Sequence, residues 1–158
     1  MNSSPMKIRL KSLSEPNLVF GGNFTYFDPK IALAKAGPVD ARQSEIKRIP
    51  LGLVGPESEI EEALKLFARL DKPLIDSANN ALRFPNFPGT GKAFACRFEI
   101  DPKFVRALPE KDLQMAWAKS GSEQFESLLN LYGEAIESLF GDAGPSAIAV
   151  CFNEDLAE

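Results

Sequence analysis

The sequence predicts an α/β fold in which helices cover a sheet and a β-hairpin precedes it. Three observations predict it. Residues 45–70, EIKRIPLGLVGPESEIEEALKLFARL, read as a buried strand, a Gly-Pro turn and an amphipathic helix. Residues 125–140 repeat apolar side chains at intervals of three and four, which is a second helix. Residues 147–152, AIAVCF, form a short apolar run bounded by turn residues, as a central parallel strand does. Strands alternating with helices in this way imply a sheet covered by helices.

Along the chain, residues 1–15 are polar and read as extended. Leu18, Val19 and Phe20 predict a strand, Gly21-Gly22-Asn23 a turn, and Phe24, Tyr26 and Phe27 a return strand. Asp28-Pro29 opens a short helix through Lys35, and Gly37-Pro38 stops it. Residues 39–44 form a polar linker. Ile46, Ile49, Leu51, Leu53 and Val54 then supply the apolar strand, which Gly55-Pro56 ends. Pro56 suits the first helical position, since it has no N–H to leave unpaired. Ser58 and Glu61 offer a capping box one turn later as the alternative start. Ile60, Ala63, Leu64, Phe67 and Leu70 fall on one helical face. Acids at the start of this helix and Lys65, Arg69 and Lys72 near its end suit the helix dipole.

Residues 71–92 hold Asn79-Asn80, Pro85, Pro88, Gly89 and Gly91 with Phe84 and Phe87 between them, which predicts irregular structure pinned by aromatics. Residues 93–100, AFACRFEI, alternate as a strand, and Asp101-Pro102 breaks it. Pro109 and Glu110 open a short helix through Ala118, with Leu113, Ala116 and Trp117 inward. Ser120 and Glu123 form a candidate capping box for the second long helix. Gly133 either weakens that helix by about 1 kcal/mol against alanine or admits a second backbone.

Composition bounds the function. The chain has 158 residues, 44% hydrophobic and 25% charged, which suits one globular domain with a real core. The net charge is −4, so nothing draws the whole molecule to nucleic acid or to an anionic membrane. No apolar run approaches the roughly 18 residues of a membrane span, and the N-terminus has no apolar signal core. Cys96 and Cys151 lie in apolar runs and read as reduced core thiols of a cytoplasmic protein. Without histidine, imidazole-based acid–base catalysis and the Ser-His-Asp triad are excluded. No metal site, cofactor or enzymatic activity is expected.

Residues 87–92, FPGTGK, look at first like a phosphate loop. Asn86 replaces the first glycine and Ala93 the magnesium-binding hydroxyl, so an ordinary glycine loop is expected. GLVGPE lacks dinucleotide spacing, and Glu57, Glu59, Glu61 and Glu62 crowd the helix start that an anion would need. The positive clusters are Lys7, Arg9 and Lys11, then Arg42, Lys47 and Arg48. These six are the candidate nucleic-acid-binding residues, because alternating cations on one strand face can meet phosphates. A solvated edge that discourages aggregation is the competing reading. Phe84, Phe87, Phe94 and Phe98 read as core in preference to a base-stacking platform.

Glu15-Pro16-Asn17-Leu18-Val19-Phe20-Gly21-Gly22, then Asp28-Pro29, Leu33 and Gly37-Pro38, resemble the lead-in to the MID domain of prokaryotic Argonaute-type (Piwi) proteins. In that family an E-P-x-L-x-F-G segment, a D-P pair and a G-L-x-x-x-G-P-like turn precede the first Rossmann-like strand. Residues 49–55 fit that strand and turn. Phe84-Pro85-Asn86-Phe87 is similar to the family's F-P-G-F loop, with Asn86 in place of glycine. The second long helix, AIAVCF and Asn153-Glu154-Asp155-Leu156 resemble its strand ending in a P-x-x-L turn, with Asn153 replacing proline. The likeness spans residues 15–156. Ala36 departs from it, standing where a tyrosine is expected.

The resemblance implies an N-terminal extension and hairpin lead-in over 1–44. An incomplete MID-like domain, a partial Rossmann-like sheet flanked by helices, follows over 45–158. The family's guide 5′-phosphate pocket and its PIWI acid tetrad lie further along, and the chain is expected to stop before both. No catalytic or phosphate-pocket residue carries over. The implied role is a non-catalytic fragment or split subunit that completes a guide-binding module with a Piwi-like partner chain, or by self-association, around a short guide RNA or DNA. The alternative is an independent α/β scaffold or regulatory protein that binds no nucleic acid.

Overall fold

The computed structural model describes residues 11–40, 45–75, 85–141 and 143–152. Lys7, Arg9, Arg42, Phe84, Asn79-Asn80 and the Asn153–Leu156 turn lie outside them.

Strands β1 (Leu18–Val19) and β2 (Thr25–Tyr26) pair antiparallel as the expected hairpin. Helix α1 (Pro29–Ala36) follows, and the Asp28 carboxylate caps it by accepting from the Lys30 and Ile31 amides at 2.9 and 3.4 Å. Strand β3 (Lys47–Pro56) leads into α2 (Glu57–Leu70). The short helix α3 (Thr90–Ala93) and β4 (Cys96–Glu99) come next, then β5 (Val105–Leu108), α4 (Glu110–Trp117), α5 (Gly121–Glu137) and β6 (Ala147–Val150).

β3 is the centre of the larger sheet. It pairs in parallel with β4 over Lys47–Pro50, with β6 over Leu51–Val54 and with β5 over Leu53–Pro56. Alternate residues of a strand address alternate neighbours. The Lys47 amide donates to the Ala95 carbonyl beside β4, whereas the Pro50 and Val54 carbonyls accept from Ser146 and Cys151 beside β6. β6 therefore occupies one edge of β3. β5, which shares Leu53 and Val54 with β6, must occupy the other edge, together with β4. β4 and β5 are one interrupted edge, broken by a 3-10 turn at Pro102–Phe104. The missing N–H groups of Pro50 and Pro56 face the β6 side beyond its paired stretch, which is how a central strand tolerates both prolines.

The layers follow from alternation. Leu51 and Leu53 pack with Ile60, Ala63 and Phe67 of α2 on one face. Val54 packs with Leu113, Ala116, Leu128 and Tyr132 of α4 and α5 on the other. The α2 crossover joins β3 to β4 over the first face, and α4 with α5 joins β5 to β6 over the second. This is a doubly wound α/β sandwich. No helix among the described residues is long and apolar enough to cross a membrane.

Several expectations need correction. The strand does not end at Gly55-Pro56 but runs through both, because β5 pairs alongside them. Pro56 accordingly precedes α2 instead of opening it. Ser58 Oγ donates to Glu59 Oε1 at 3.4 Å and caps nothing. Ser120 makes no capping bond either, since Gly121 turns the chain with φ +59°. Ala93 belongs to α3, and Ala95 at φ +51° delays β4 to Cys96. β5 is a strand that the sequence pattern did not announce. AIAVCF is not central: β6 pairs only with β3 among the described residues.

Leu53 is wholly buried, in contact with both the α2 layer and the edge strands. Leu53→Ala is expected to cost about 2–5 kcal/mol, whereas Leu66→Ala, on an exposed side chain, stays within about 0.5 kcal/mol. Urea unfolding of the two variants checks this, and equal losses would contradict the assigned centre.

Candidate nucleic-acid interface

Lys47 and Arg48 stand at the amino end of β3, on the wall of a cleft of about 710 Å³ that also takes in Asp40, Glu45, Ile46 and Phe94. Successive residues of a strand face opposite ways, so the two cations do not form one positive face. Arg48 Nη1 lies 2.8 Å from Glu99 Oε1. Such exposed pairs contribute little stability, yet they neutralise the guanidinium locally. The β4 register sets Arg97 beside Arg48, and Arg97 Nε in turn lies 3.0 Å from Asp71 Oδ2.

Of the six sequence candidates, the structure brings Lys47 and Arg48 to one cleft. Lys11 is exposed in an irregular segment, and Lys7, Arg9 and Arg42 are outside the described residues. Sequence reasoning missed Arg97. The alternation in AFACRFEI separates Arg97 and Glu99 from Phe98, but only the pairing with β3 places Arg97 at the cleft's cation. Arg106 is committed elsewhere: its guanidinium donates to Ser138 Oγ at 3.0 Å and to the Lys103 carbonyl at 2.8 Å, tying β5 to the end of α5.

The glycine loop is a joint between elements. Thr90 is buried and its hydroxyl donates to Asp71 Oδ1 at 2.9 Å, which fastens α3 to the end of α2. The Phe87 and Phe94 rings meet at 6.1 Å, tilted by 42°, with Phe87 bridged to Leu74. Phe94 is about half exposed and Phe98 packs edge-on against Phe67 at 5.2 Å, so these aromatics do not share one platform. Beside them an apolar groove of about 450 Å³ runs between α1 and residues 85–88.

Doubly wound sheets bind ligands where the crossovers diverge, at the carboxyl ends of the two strands concerned. Here the chain leaves β3 into α2 over one face and leaves β5 into α4 over the other, so that point lies between β3 and β5, whereas the join of β3 with β6 on the opposite edge is closed. A Cβ on Gly55 would strike the Cys151 carbonyl, and the Cys151 amide donates to the Val54 carbonyl at 2.7 Å. Tyr132 Oη donates to the same Cys151 carbonyl at 3.1 Å, and its ring meets Phe152 at 5.1 Å. The cavity at the β3–β5 point, about 270 Å³, carries Glu57 and Glu110 and would repel phosphate.

Burial is the main cause that raises the Cys96 and Cys151 thiols above their ordinary range, so neither is an activated thiolate at neutral pH. Among the described residues no group of three or more acids or cysteines is arranged to hold a metal. Comparison of the chain with protein-family models and with curated proteins gives no match.

Burial foremost, then the neighbouring Cys151 and Glu59, pushes Tyr132 up to about 12 from an ordinary 10.0. Above pH 10 the unfolded chain releases the phenol proton while the folded chain keeps it. The stability contribution of Tyr132 is thus full below pH 10 and is lost as pH rises towards 12. Tyr132→Phe is expected to flatten that alkaline decline while costing about 1 kcal/mol at neutral pH for the lost hydrogen bond. Thermal melts of both proteins across this range are the check, and parallel slopes would refute it.

Proposed function

We propose that this protein is a non-catalytic Argonaute-like MID fragment or split subunit, which completes a guide-nucleic-acid module together with a partner chain or by self-association. The order and spacing of the 15–38 motifs ahead of β3 support the reading. So does a doubly wound parallel sheet in that position. The observation that carries it is the one-sided pairing of β6. Its outer backbone groups have no strand partner among the described residues, and an unpaired edge is a template for another strand. A guide would then be held jointly, with Lys47 and Arg48 as contributors and not as a complete site.

The compensated cations favour one competing reading, an α/β scaffold that binds no nucleic acid. Arg48 and Arg97 each face an acid within 3.0 Å.

Filter binding with short 5′-phosphorylated and 5′-hydroxyl RNA and DNA, at low and moderate salt, separates the two. The first reading expects salt-sensitive retention, without discrimination between 5′-phosphorylated and 5′-hydroxyl ends by this chain alone. It also expects a mass above the monomer by light scattering. Lys47→Ala should lower the salt slope by about one phosphate contact. A monomer that retains no oligonucleotide even at low salt sinks the proposal and leaves the scaffold.

A further inference from the structure

Helix α5 carries more apolar surface than the core covers. Leu128 and Tyr132 point inward and are buried. On the adjoining strip, Phe125 is 66% and Leu129 58% exposed; Gly133 and Ile136 continue it at the same spacing, both half-buried, Ile136 with its inner side packed against the core. Steps of four, four and three keep these residues on one line along the helix. α4 lies against the other side of α5, where Gln124 Nε2 donates to the Trp117 carbonyl and Lys119 Nζ to Ser127 Oγ. It does not cover the strip. Phe152, itself exposed, meets Tyr132 and lies beyond the end of β6, and it adds to the same apolar area.

Gly133 sits in the middle of the line. A Cβ placed there meets nothing within 4 Å, so no packing among the described residues requires glycine. Glycine weakens a helix interior, and an open glycine between Leu129 and Ile136 leaves a notch in the strip. One step further round, Glu126, Glu134 and Glu137 are exposed and stand in no ion pair among the described residues. Glu123 lies on the same flank, 3.8 Å from Lys119. α5 itself contains no lysine or arginine. The face is thus an apolar line with a central notch and an acidic flank on its outer side.

We infer that this face seats an amphipathic helix of a partner protein. The partner helix would lay its apolar side over Phe125, Leu129 and Ile136, bring its backbone close at Gly133, and set Lys or Arg against the glutamate flank. A second copy of this chain fits poorly, because α5 against α5 brings no cation to the glutamates. The inference stands on α5 alone and does not depend on a guide or on strand pairing at β6.

Fluorescence anisotropy with the full chain and two synthetic helical peptides tests it. Both peptides carry the same leucine and alanine stripe; one is flanked by Lys and Arg, the other by Glu. The basic peptide is expected to bind at least about tenfold more tightly, with the margin shrinking as salt rises. Leu129→Asp and Gly133→Leu should each weaken it by about tenfold or more. Gly133→Leu improves the helix, so its thermal midpoint should hold or rise, which separates lost docking from lost folding. Oligonucleotide retention is a separate readout and should not change in Gly133→Leu. Equal affinity for the two peptides, binding of neither, or an unaffected Gly133→Leu would overturn the inference. So would a dimer, seen by light scattering, that Leu129→Asp dissolves.

Discussion

β3 hydrogen-bonds on both edges and packs on both faces, and every other element of the sandwich is placed relative to it. Its odd-numbered residues bond to β4 and β5 and its even-numbered residues to β6. Leu51 and Leu53 enter the α2 layer and Val54 the α4–α5 layer. The tightest point along β3 is Gly55 against the Cys151 carbonyl, where only a residue without a side chain lets the end of β6 close on β3. That contact closes β6 on β3, while the usual ligand position of doubly wound sheets, between β3 and β5 where α2 and α4 diverge, is bordered by Glu57 and Glu110. The acids there direct an anionic ligand elsewhere.

Charge and exposure point to where that is. At the amino end of the sheet, Arg48 and Arg97 sit side by side and each meets a carboxylate. At the carboxyl end, Glu57 and Glu110 border the available cavity. Besides the apolar groove between α1 and residues 85–88, the surfaces left open include the unpaired β6 edge with its backbone groups, Phe152, and the apolar strip of α5. Strand addition at β6 and helix docking on α5 would bury separate groups, backbone amides in one case and side chains in the other. The two modes are compatible with one partner or with two.

The candidate site was only partly legible in the sequence. Lys47 and Arg48 stand out because they are adjacent in an otherwise apolar strand. Their electrostatic surroundings do not, because Glu99 is 51 residues from Arg48 along the chain and reaches it only through strand pairing. Arg97 was hidden for the same reason. Arg106 reads as one more surface cation until its bonds to Ser138 show that it fastens β5 to α5. Residues that act through distant partners leave no mark in local spacing.

Local rules were enough for the hairpin, for α1 with its Asp28 start, for the amphipathic α2 and α5, for β3 as a buried strand and for the parallel character of β6. Each of these depends on turn chemistry or periodicity within a few residues. The sequence alone thus determined the α/β class and most of its parts. Tertiary structure decided the rest. β5 is four residues between prolines, and it is a strand only because β3 offers it an edge. The same edge carries β3 through Gly55 and Pro56. Ser58 and Ser120 match the capping pattern, yet the backbone at each helix start denies them the bond. Whether an apolar residue is core or surface was also settled at this level. Leu128 and Leu129 are alike in sequence, but one turns to the sheet and the other to solvent.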